Sequence, residues 1–426
     1  MSHSFKHLLP LFLLLLWGGN AGAQSDPLTL DSCRAAARLN YPAIAKLDLI
    51  AKSSEFDIRN ANRRYLPQLN LSASGAYSAY DVEADTQEIA LTNAQYGVQA
   101  QVSQQIYDGG ETHYRKKISE AQAKLQTQQL ESELYSINQR INQIYFGILL
   151  FDAQLKQLQL AQETLTSKAK QVEAAVANGV ALPSQLDELK VELLNLKMKQ
   201  TEAASNRRGY LAVLSLFMGE ELAAGTELEK PTPWQGKAEI NRPELLAFQY
   251  QQDLLSIQEK QLRTSFHPKL GAYANGGLSH INADLSGMGN DLNVEGQMGS
   301  WSVGASLNWS LSGLYTLGNS RKKIHVQREM AQTDLESFLF NTRLDLAQQD
   351  EQVMKFQQLL AQDEELIALR SSVLKAAESQ LANGVISTHE YIQKLNAEQD
   401  AQEQRSLHEI QLLQAQIQRK FLVAGH

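Results

Sequence analysis

Two copies of one short stretch, Ala177-Asn178-Gly179-Val180 and Ala382-Asn383-Gly384-Val385, are the points around which this chain is organised. At each copy a very long helical pattern stops and another begins. The Asn-Gly pair readily adopts positive φ, a conformation that ends a helix in a left-handed turn. Both copies are therefore predicted to form the tips of helical hairpins.

The surroundings of the tips indicate an internally duplicated chain. The tips lie 205 positions apart, and the same two charges precede each tip at the same offsets. Farther away, two proline motifs recur with a displacement of 201 positions. Such self-similarity is typical of a repeated structural unit. The matching positions are Lys170 and Lys375, Glu173 and Glu378, Asn40-Tyr41-Pro42 and Asn241-Arg242-Pro243, and Pro67 and Pro268.

The helices beside the first tip have the spacing of a coiled coil. Residues such as Ile141, Ile144 and Ile148 are separated alternately by three and four positions, which places them along one narrow seam. We predict one helix over residues 113–178, about 100 Å long at 1.5 Å per residue. A proline suited to a first helical turn begins the predicted return helix, residues 183–217.

The second tip has the same flanking pattern. Apolar residues recur every seven positions from Leu339 to Leu381 and predict a helix over residues 316–382. The return helix is predicted over residues 388–424. Ser387 and Glu390 have the spacing of a capping box at its start.

Between the helices the apolar period changes to two, which indicates strands. The clearest runs from Trp301 to Leu311, where apolar residues alternate with Ser, Gly and Asn. About 9 to 11 tilted residues cross a bilayer, so this strand has membrane length. Strands are predicted at about 68–80, 95–107, 268–280 and 300–312. An acidic loop is expected between the first two, containing Asp81, Glu83, Asp85 and Glu88.

A membrane location would restrict how these strands assemble. Lipid-exposed sheet edges are not tolerated, so strands in a bilayer must belong to a closed barrel. The four predicted strands are fewer than the roughly eight of the smallest known membrane barrels. The chain must therefore oligomerise if its strands lie in a membrane. A small soluble sheet that caps a helical rod is the alternative.

Composition excludes several classes of protein. The 426 residues include one cysteine, Cys33, so neither an intrachain disulfide nor a cysteine metal cage can form. The net charge is −8 and no basic block stands out, which argues against a nucleic-acid binder. The mean hydropathy of −0.34 argues against a bundle of membrane-spanning helices.

The N-terminus has the pattern of a cleaved secretory signal. Lys6 precedes an apolar run from Leu8 to Trp17, and small residues end at Ala21-Gly22-Ala23. We therefore expect residues 1–23 to be a signal peptide and the mature chain to be exported. The first structural repeat is then predicted at 24–219, a linker at 220–239 and the second repeat at 240–426.

These features together resemble the TolC-type outer membrane efflux protein family. The resemblance rests on the signal peptide, the duplicated order of helix, two strands, long helix and return helix, and the Gly-Val tips. It also rests on the Asn-x-Pro motifs and on Leu66-Pro67 and His267-Pro268, which lead into strands. It covers essentially the whole mature chain.

The resemblance implies a mainly α fold with a small β part. Duplicated long coiled-coil hairpins and four membrane strands per chain would assemble as a homotrimer, with a 12-stranded β-barrel in the outer membrane on a 12-helix α-barrel in the periplasm. The implied partners are outer membrane lipid, a periplasmic adaptor (membrane fusion) protein and an inner-membrane transporter. The implied function is a passive export duct of a tripartite efflux or type I secretion system.

The resemblance also implies two sets of site residues. The tips would dock the adaptor through Asn178, Gly179, Val180, Ala181 and Leu182 and through Asn383, Gly384, Val385, Ile386 and Ser387. A periplasmic gate just above them would involve Lys170, Glu173, Lys375 and Glu378. The family's gate is acidic, and the lysines depart from it, so we hypothesise Lys–Glu pairs between helices. Solvated helix faces are the alternative.

Other chemistry finds no support in the sequence. It has no HExxH pair, no G-x-S-x-G motif and no phosphate-binding glycine loop before a helix. We therefore assign no catalytic, cofactor-binding or metal-binding residue and expect no nucleic-acid partner. A secreted periplasmic coiled-coil scaffold without a pore and an exported enzyme remain alternative interpretations.

Overall fold

The computed structural model describes residues 27–84, 87–234, 236, 239–284 and 293–424, which are mainly helical with one four-stranded antiparallel sheet. The predicted signal peptide, residues 1–23, lies outside the described residues. The helices are α1 (Leu30–Asn40), α2 (Lys46–Arg63), α3 (Glu111–Ala177), α4 (Pro183–Met218), α5 (Pro243–Leu262), α6 (Gly313–Ala382) and α7 (Thr388–Val423). The strands are β1 (Gln68–Ala84), β2 (Gln87–Tyr107), β3 (Lys269–Asp284) and β4 (Asn293–Asn308).

The two halves of the chain repeat the order of helix, strand pair, long helix and return helix. Prolines mark the same boundaries in both halves. Pro42 begins a short 3-10 helix directly after α1, and Pro243 is the first residue of α5. Pro67 and Pro268 each precede a strand. A proline disfavours helix in the residue before it, so these positions separate the elements.

The sheet is a meander in the order β1-β2-β3-β4, with β1 and β4 at its edges. Pairing of β2 with β3 joins the two repeats into one sheet. Non-polar residues pair with one another across the four strands, as in the row formed by Leu71, Ala100, Gly276 and Trp301. One irregularity interrupts the β2–β3 register next to Tyr107. The alternation predicted from the sequence therefore places like residues on the same face.

The prediction of an acidic loop around Asp81, Glu83 and Glu88 is wrong, because these residues lie in strands. β1 continues to Ala84, and β2 begins at Gln87, directly opposite it. Backbone hydrogen bonding does not depend on side-chain polarity, so the ladder continues through the acidic sequence. Asp85 lies outside the described residues.

The fourth strand also differs from its predicted range. It begins earlier, at Asn293, and ends at Asn308 rather than near residue 312. Asn308 pairs with Lys269, the first residue of β3, so the ladder ends where its partner strand ends. Trp309 then turns towards the helices, and its indole N–H donates to the carbonyl of Phe266 at 3.0 Å.

An apolar core joins α1, α3, α4 and α7 near the middle of α3. It contains Ile141, Tyr145 and Ile148 of α3, Leu214 of α4 and Ile410 of α7, all of them buried. The coiled-coil seam predicted for α3 is thus confirmed. Full burial of one such aliphatic side chain contributes about 1.5–3 kcal/mol.

Arginine–aspartate pairs fasten the linker between the repeats to the helices. In the first repeat, Arg207 of α4 binds Asp152 of α3 at 2.5 Å and donates to the linker carbonyl of Ala224 at 2.5 Å. In the second repeat, Arg419 of α7 binds Asp350 of α6 at 2.5 Å and donates to another linker carbonyl at 3.1 Å. Each pair therefore ties a return helix, a long helix and the linker together.

The junction of strands and helices is held by one carboxylate, Glu111, in the first turn of α3. It accepts hydrogen bonds from Lys269 at 2.6 Å, Arg64 at 2.9 Å and Arg115 at 3.2 Å. Bonding to Lys269, reinforced by Arg64, holds the pKa of Glu111 down at about 2. Asp108 holds the start of the same helix by accepting from the backbone N–H groups of Gly110, just before the helix, and Thr112, in its first turn, at 2.9 and 2.7 Å. The junction thus links the C-terminal end of α2, the start of α3 and the start of β3.

Replacement of Glu111 with Gln is expected to destabilise the chain in a pH-dependent way. Hydrogen bonds to charged groups contribute about 1.5–3 kcal/mol, and the variant leaves three cations without their carboxylate. The folded pKa of Glu111 is lower than the unfolded value, so its contribution is complete above the unfolded value of 4.5 and is lost as the pH falls towards about 2. Thermal unfolding of the detergent-purified chain, followed by circular dichroism, measures this difference.

The matched control is Glu120→Gln on the same helix, because Glu120 is exposed and forms no ion pair within the described residues. We expect this control to unfold like the wild type at every pH. A difference between Glu111→Gln and the wild type that stays constant from pH 7 to pH 2.5 would contradict the assigned role of Glu111.

Candidate functional site

Both predicted tips are left-handed helix ends. Gly179 and Gly384 have φ of +71° and +70°. In the first tip the N–H groups of Gly179 and Val180 donate to the carbonyls of Val176 and Ala175, at 3.0 and 2.8 Å. The second tip repeats both bonds at 3.0 and 2.8 Å. This is the Schellman arrangement, which satisfies the last carbonyls of a helix, and it confirms the helix stops predicted from Asn-Gly.

The two return helices start differently. At the start of α7, Ser387 accepts from the N–H of Glu390 at 3.2 Å, and the Glu390 carboxylate accepts from the N–H of Ser387 at 2.9 Å. This confirms the predicted capping box. At the start of α4, Leu182 has no capping side chain, and the Gln185 amide oxygen accepts from its N–H at 3.2 Å. The second tip therefore has the stronger local constraint.

The tips present uncovered apolar side chains. Val180 and Val385 are 82% and 70% exposed, and Leu182 is also exposed. Ile386, in contrast, packs partly against the core between the hairpins. The tips lie about 100 Å from the strands along α3 at 1.5 Å per residue. Exposed apolar residues at such a projecting end are typical of a contact surface.

One apolar cluster joins the two hairpins just above their tips. Leu165 of α3, Leu189 of α4, Ala377 of α6 and Tyr391 and Leu395 of α7 are all buried in it. Burial of Tyr391, together with the nearby charge of Glu378, raises the pKa of its hydroxyl. Both tips therefore belong to one packed unit within a single chain.

The four predicted gate residues lie directly around this cluster. Lys170, Glu173, Lys375 and Glu378 are all exposed. Across the part of the chain that the structure describes, none of them takes part in an ion pair. The hypothesised Lys–Glu pairs are therefore not made within one chain, so they would have to join neighbouring chains. Solvated helix faces remain the alternative.

Above this level the two hairpins differ in the polarity of their packing. His408 of α7 lies 2.6 Å from the carboxylate of buried Asp363 of α6. The positions 205 residues earlier are Leu158 and Ala203, both buried in an apolar cluster. Sequence reasoning missed this pair because neither residue belongs to a motif. A comparison of the repeats at the tip offset could have found it.

The sheet has one apolar and one polar face. Leu71, Trp301 and Val303 are strongly exposed on the apolar face, Trp301 at 84%. The polar face carries side chains such as Gln101 and Asn275, and where it meets the helices it borders an open cavity of 610 Å³. An exposed apolar band on one face and polar residues on the other are the pattern of a membrane barrel wall.

Metal and thiol chemistry is not indicated. Within the described residues, no group of three or more His, Cys, Asp or Glu side chains is placed to hold a metal ion. Cys33 is buried, and burial raises its pKa to about 12, which keeps the thiol protonated and unreactive at neutral pH. No helix in the described ranges is long and apolar enough to cross a membrane.

Comparison with protein families shows to which family the chain belongs. The family described as outer membrane efflux protein matches residues 34–220 and again residues 234–423. The chain belongs to the outer membrane efflux protein family. The two matched segments coincide with the two repeats, so the duplication in this family member is the duplication of the family's unit. No curated protein sequence matches the chain significantly.

Solved structures share the fold over nearly the whole chain. The CmeC outer membrane channel of Campylobacter jejuni is 13% identical with a TM-score of 0.63, over 100% of this chain and 94% of CmeC. The outer membrane protein VceC of Vibrio cholerae is 12% identical with a TM-score of 0.63, over 93% and 97%. The open-state MtrE channel of Neisseria gonorrhoeae is 13% identical with a TM-score of 0.62, over 93% and 89%. At this identity the likeness is one of fold.

If Lys375 and Glu378 narrow the duct of this efflux family member, replacing both with Ala is expected to raise its single-channel conductance severalfold. Removing the two side chains widens the passage and removes any pairs between neighbouring chains. Planar bilayer recording of the purified full-length protein measures the change. The matched control is Lys199→Ala with Glu202→Ala, an exposed pair at the same spacing on α4. Equal conductance in both double variants would remove these residues from the gate.

Proposed function

We infer that this chain is the outer membrane channel-tunnel of a tripartite efflux or type I secretion system. Three copies would form a duct with its barrel in the outer membrane and its helical tunnel in the periplasm. An inner-membrane transporter would drive export through a periplasmic adaptor, and the duct itself would be passive and not an enzyme. Family membership and the channel fold of the structural neighbours support this proposal.

The observation that carries the proposal is the open sheet. β1 and β4 are edge strands, and the sheet carries an exposed apolar face. In lipid, each unpaired backbone group costs several kcal/mol, so such edges must be paired. Pairing β4 of one copy with β1 of the next closes a ring without changing the fold of the chain. Three copies would contribute twelve strands.

The long helices have the same two open sides. α3 packs against α4 and α7, α7 packs against α6, and α4 meets α7 only through a smaller contact near the tips, so α4 and α6 lie at the two ends of the layer. Both carry exposed apolar residues on these sides. A head-to-tail contact of α4 with the α6 of the next copy would cover them and close the same ring. The exposed residues include Val191, Leu194, Met198 and Leu216 on α4 and Phe340, Leu344, Met354 and Leu369 on α6.

A reconstituted channel is the direct test of this function. The full-length protein is expected to fractionate with the outer membrane, to require detergent and to be recovered as a trimer after crosslinking. In planar bilayers it should conduct ions through a water-filled pore. A pore-free periplasmic scaffold predicts instead a soluble protein without conductance, and that result would refute the proposal.

The tips are proposed to dock the adaptor, and their glycines test this role. Val at Gly179 and Gly384 costs about 1–2 kcal/mol at each site, since β-branched residues resist positive φ. Neither site has atoms within 4 Å of an added Cβ, so the effect should stay local. We expect the double variant to form trimers in the outer membrane but to lose export, measured as efflux of a preloaded dye from the native host.

The matched control replaces Gly209 and Gly318 with Val. Both glycines lie in helices with open space around an added Cβ, and neither has positive φ. This control should retain export. Normal efflux in the Gly179→Val and Gly384→Val double variant would show that the tip geometry is not part of the mechanism, while leaving the channel itself in place.

A further inference from the structure

The overall negative charge conceals a strongly basic zone where the helices meet the strands. Four segments next to strand ends contain fourteen Lys and Arg residues but only two acidic ones, Glu111 and Glu120. These segments lie far apart in the sequence, and the sheet brings them to the same end of the helices: three lie within four residues of a strand end, and the fourth begins 13 residues after the end of β4. They are residues 59–64, 111–124, 260–269 and 321–328.

The charges in this zone occupy two different sides of the helices. Arg64 and Lys269 line the cavity at the polar face of the sheet, where both pair with Glu111 and where Asp108 supplies a second carboxylate. Lys117 is six positions after Glu111, about 240° around the helix at 3.6 residues per turn, so it points away from that cavity. Lys124 lies two turns farther along the same side.

Eight exposed cations of these segments have no carboxylate partner within the described residues. Six of them line or adjoin the grooves between α3 and α5 and between α5 and α6, whereas Arg63 and Lys323 line neither groove. We call these six the basic collar: Lys117, Lys124, Lys260, Arg263, Arg321 and Lys322.

The acidic groups in these grooves do not neutralise the positive charge of the basic collar. Glu259 already pairs with Arg328 at 3.4 Å, and Glu329 lies 3.4 Å from His325. Glu120 and Asp253 face three lysines across the other groove.

The collar lies just below an exposed apolar band. Leu311, Leu314 and Tyr315 are exposed at the start of α6, with Tyr315 at 86%. Arg321 follows Tyr315 by six residues, about 9 Å along a helix. The headgroup layer on each side of the roughly 30 Å hydrocarbon core is about 5–8 Å thick. A membrane boundary at Tyr315 therefore places the backbone of Arg321 and Lys322 just beyond the headgroup layer, and their long side chains reach back to the depth of the lipid phosphates.

We propose that the basic collar binds the phosphate headgroups of anionic phospholipids in the periplasmic leaflet and so sets the depth of the channel in the outer membrane. This inference rests on the membrane placement proposed above. Clustered Lys and Arg beside a membrane segment attract anionic lipid by about 1 kcal/mol for each residue. Guanidinium and ammonium groups suit phosphate, and Lys117 points away from the polar face that would line the duct.

The test compares lipid binding by variants of the full-length channel. Lys117→Gln, Arg321→Gln and Lys322→Gln are combined, and the detergent-purified protein is titrated with phosphatidylglycerol or phosphatidylcholine. Native mass spectrometry counts the bound lipids. We expect the wild type to prefer phosphatidylglycerol and the triple variant to bind it at least about ten-fold more weakly, with phosphatidylcholine binding unchanged. Lys117→Arg, Arg321→Lys and Lys322→Arg together should restore the preference.

The control carries the same number and type of changes at exposed positions on α4: Lys197→Gln, Lys199→Gln and Arg208→Gln. It should bind phosphatidylglycerol like the wild type. Unchanged binding in the collar variant, equal loss in the control, or full displacement of lipid by millimolar inorganic phosphate would each overturn the proposal.

Membrane fractionation separates this inference from the proposed function. A chain absent from the outer membrane refutes the channel. A chain that resides there, conducts ions and binds phosphatidylglycerol equally with and without the collar refutes only the lipid site.

Discussion

Backbone N–H and C=O groups need hydrogen-bond partners, and the four-stranded sheet leaves one such row open on β1 and another on β4. The same sheet also has an apolar face whose exposure to water would be unfavourable. Both problems disappear together if copies of the chain join edge to edge within a bilayer. The helices follow the same constraint, because α4 and α6 leave apolar residues uncovered on the corresponding outer sides. Ring closure by identical copies is thus the requirement on which the rest of the architecture depends.

Duplication supplies two similar hairpins, but the two have diverged in how tightly they pack. The long helix α3 buries many residues against α1, α4 and α7, whereas α6 buries few within one chain. At one level the first hairpin has the apolar contact of Leu158 with Ala203, and the second has the Asp363–His408 pair. The second hairpin therefore relies at this level on one polar contact where the first relies on apolar packing.

The charge of the chain varies along its long axis, and the net charge does not reveal this variation. The net charge of −8 gave no indication of a basic surface, and no basic block stands out along the chain. The sheet nevertheless gathers four basic segments at the end of the helices that adjoins the strands. On the polar side Glu111 pairs with Arg64 and Lys269, and on the other side the basic collar forms no ion pair with any residue that the structure describes.

The sequence by itself determined the elements whose causes are local. Asn-Gly produced positive φ at both tips, Ser387 and Glu390 formed the capping box, and heptad and two-residue periods identified helices and strands. Only the tertiary structure decided the strand ends, because a ladder continues as long as its partner strand does, even through Asp81 and Glu83. It alone brought Glu111 to Lys269, Asp363 to His408 and the collar residues to the same end of the helices. Those contacts join residues about 45 to 200 positions apart, and no local pattern encodes such distances.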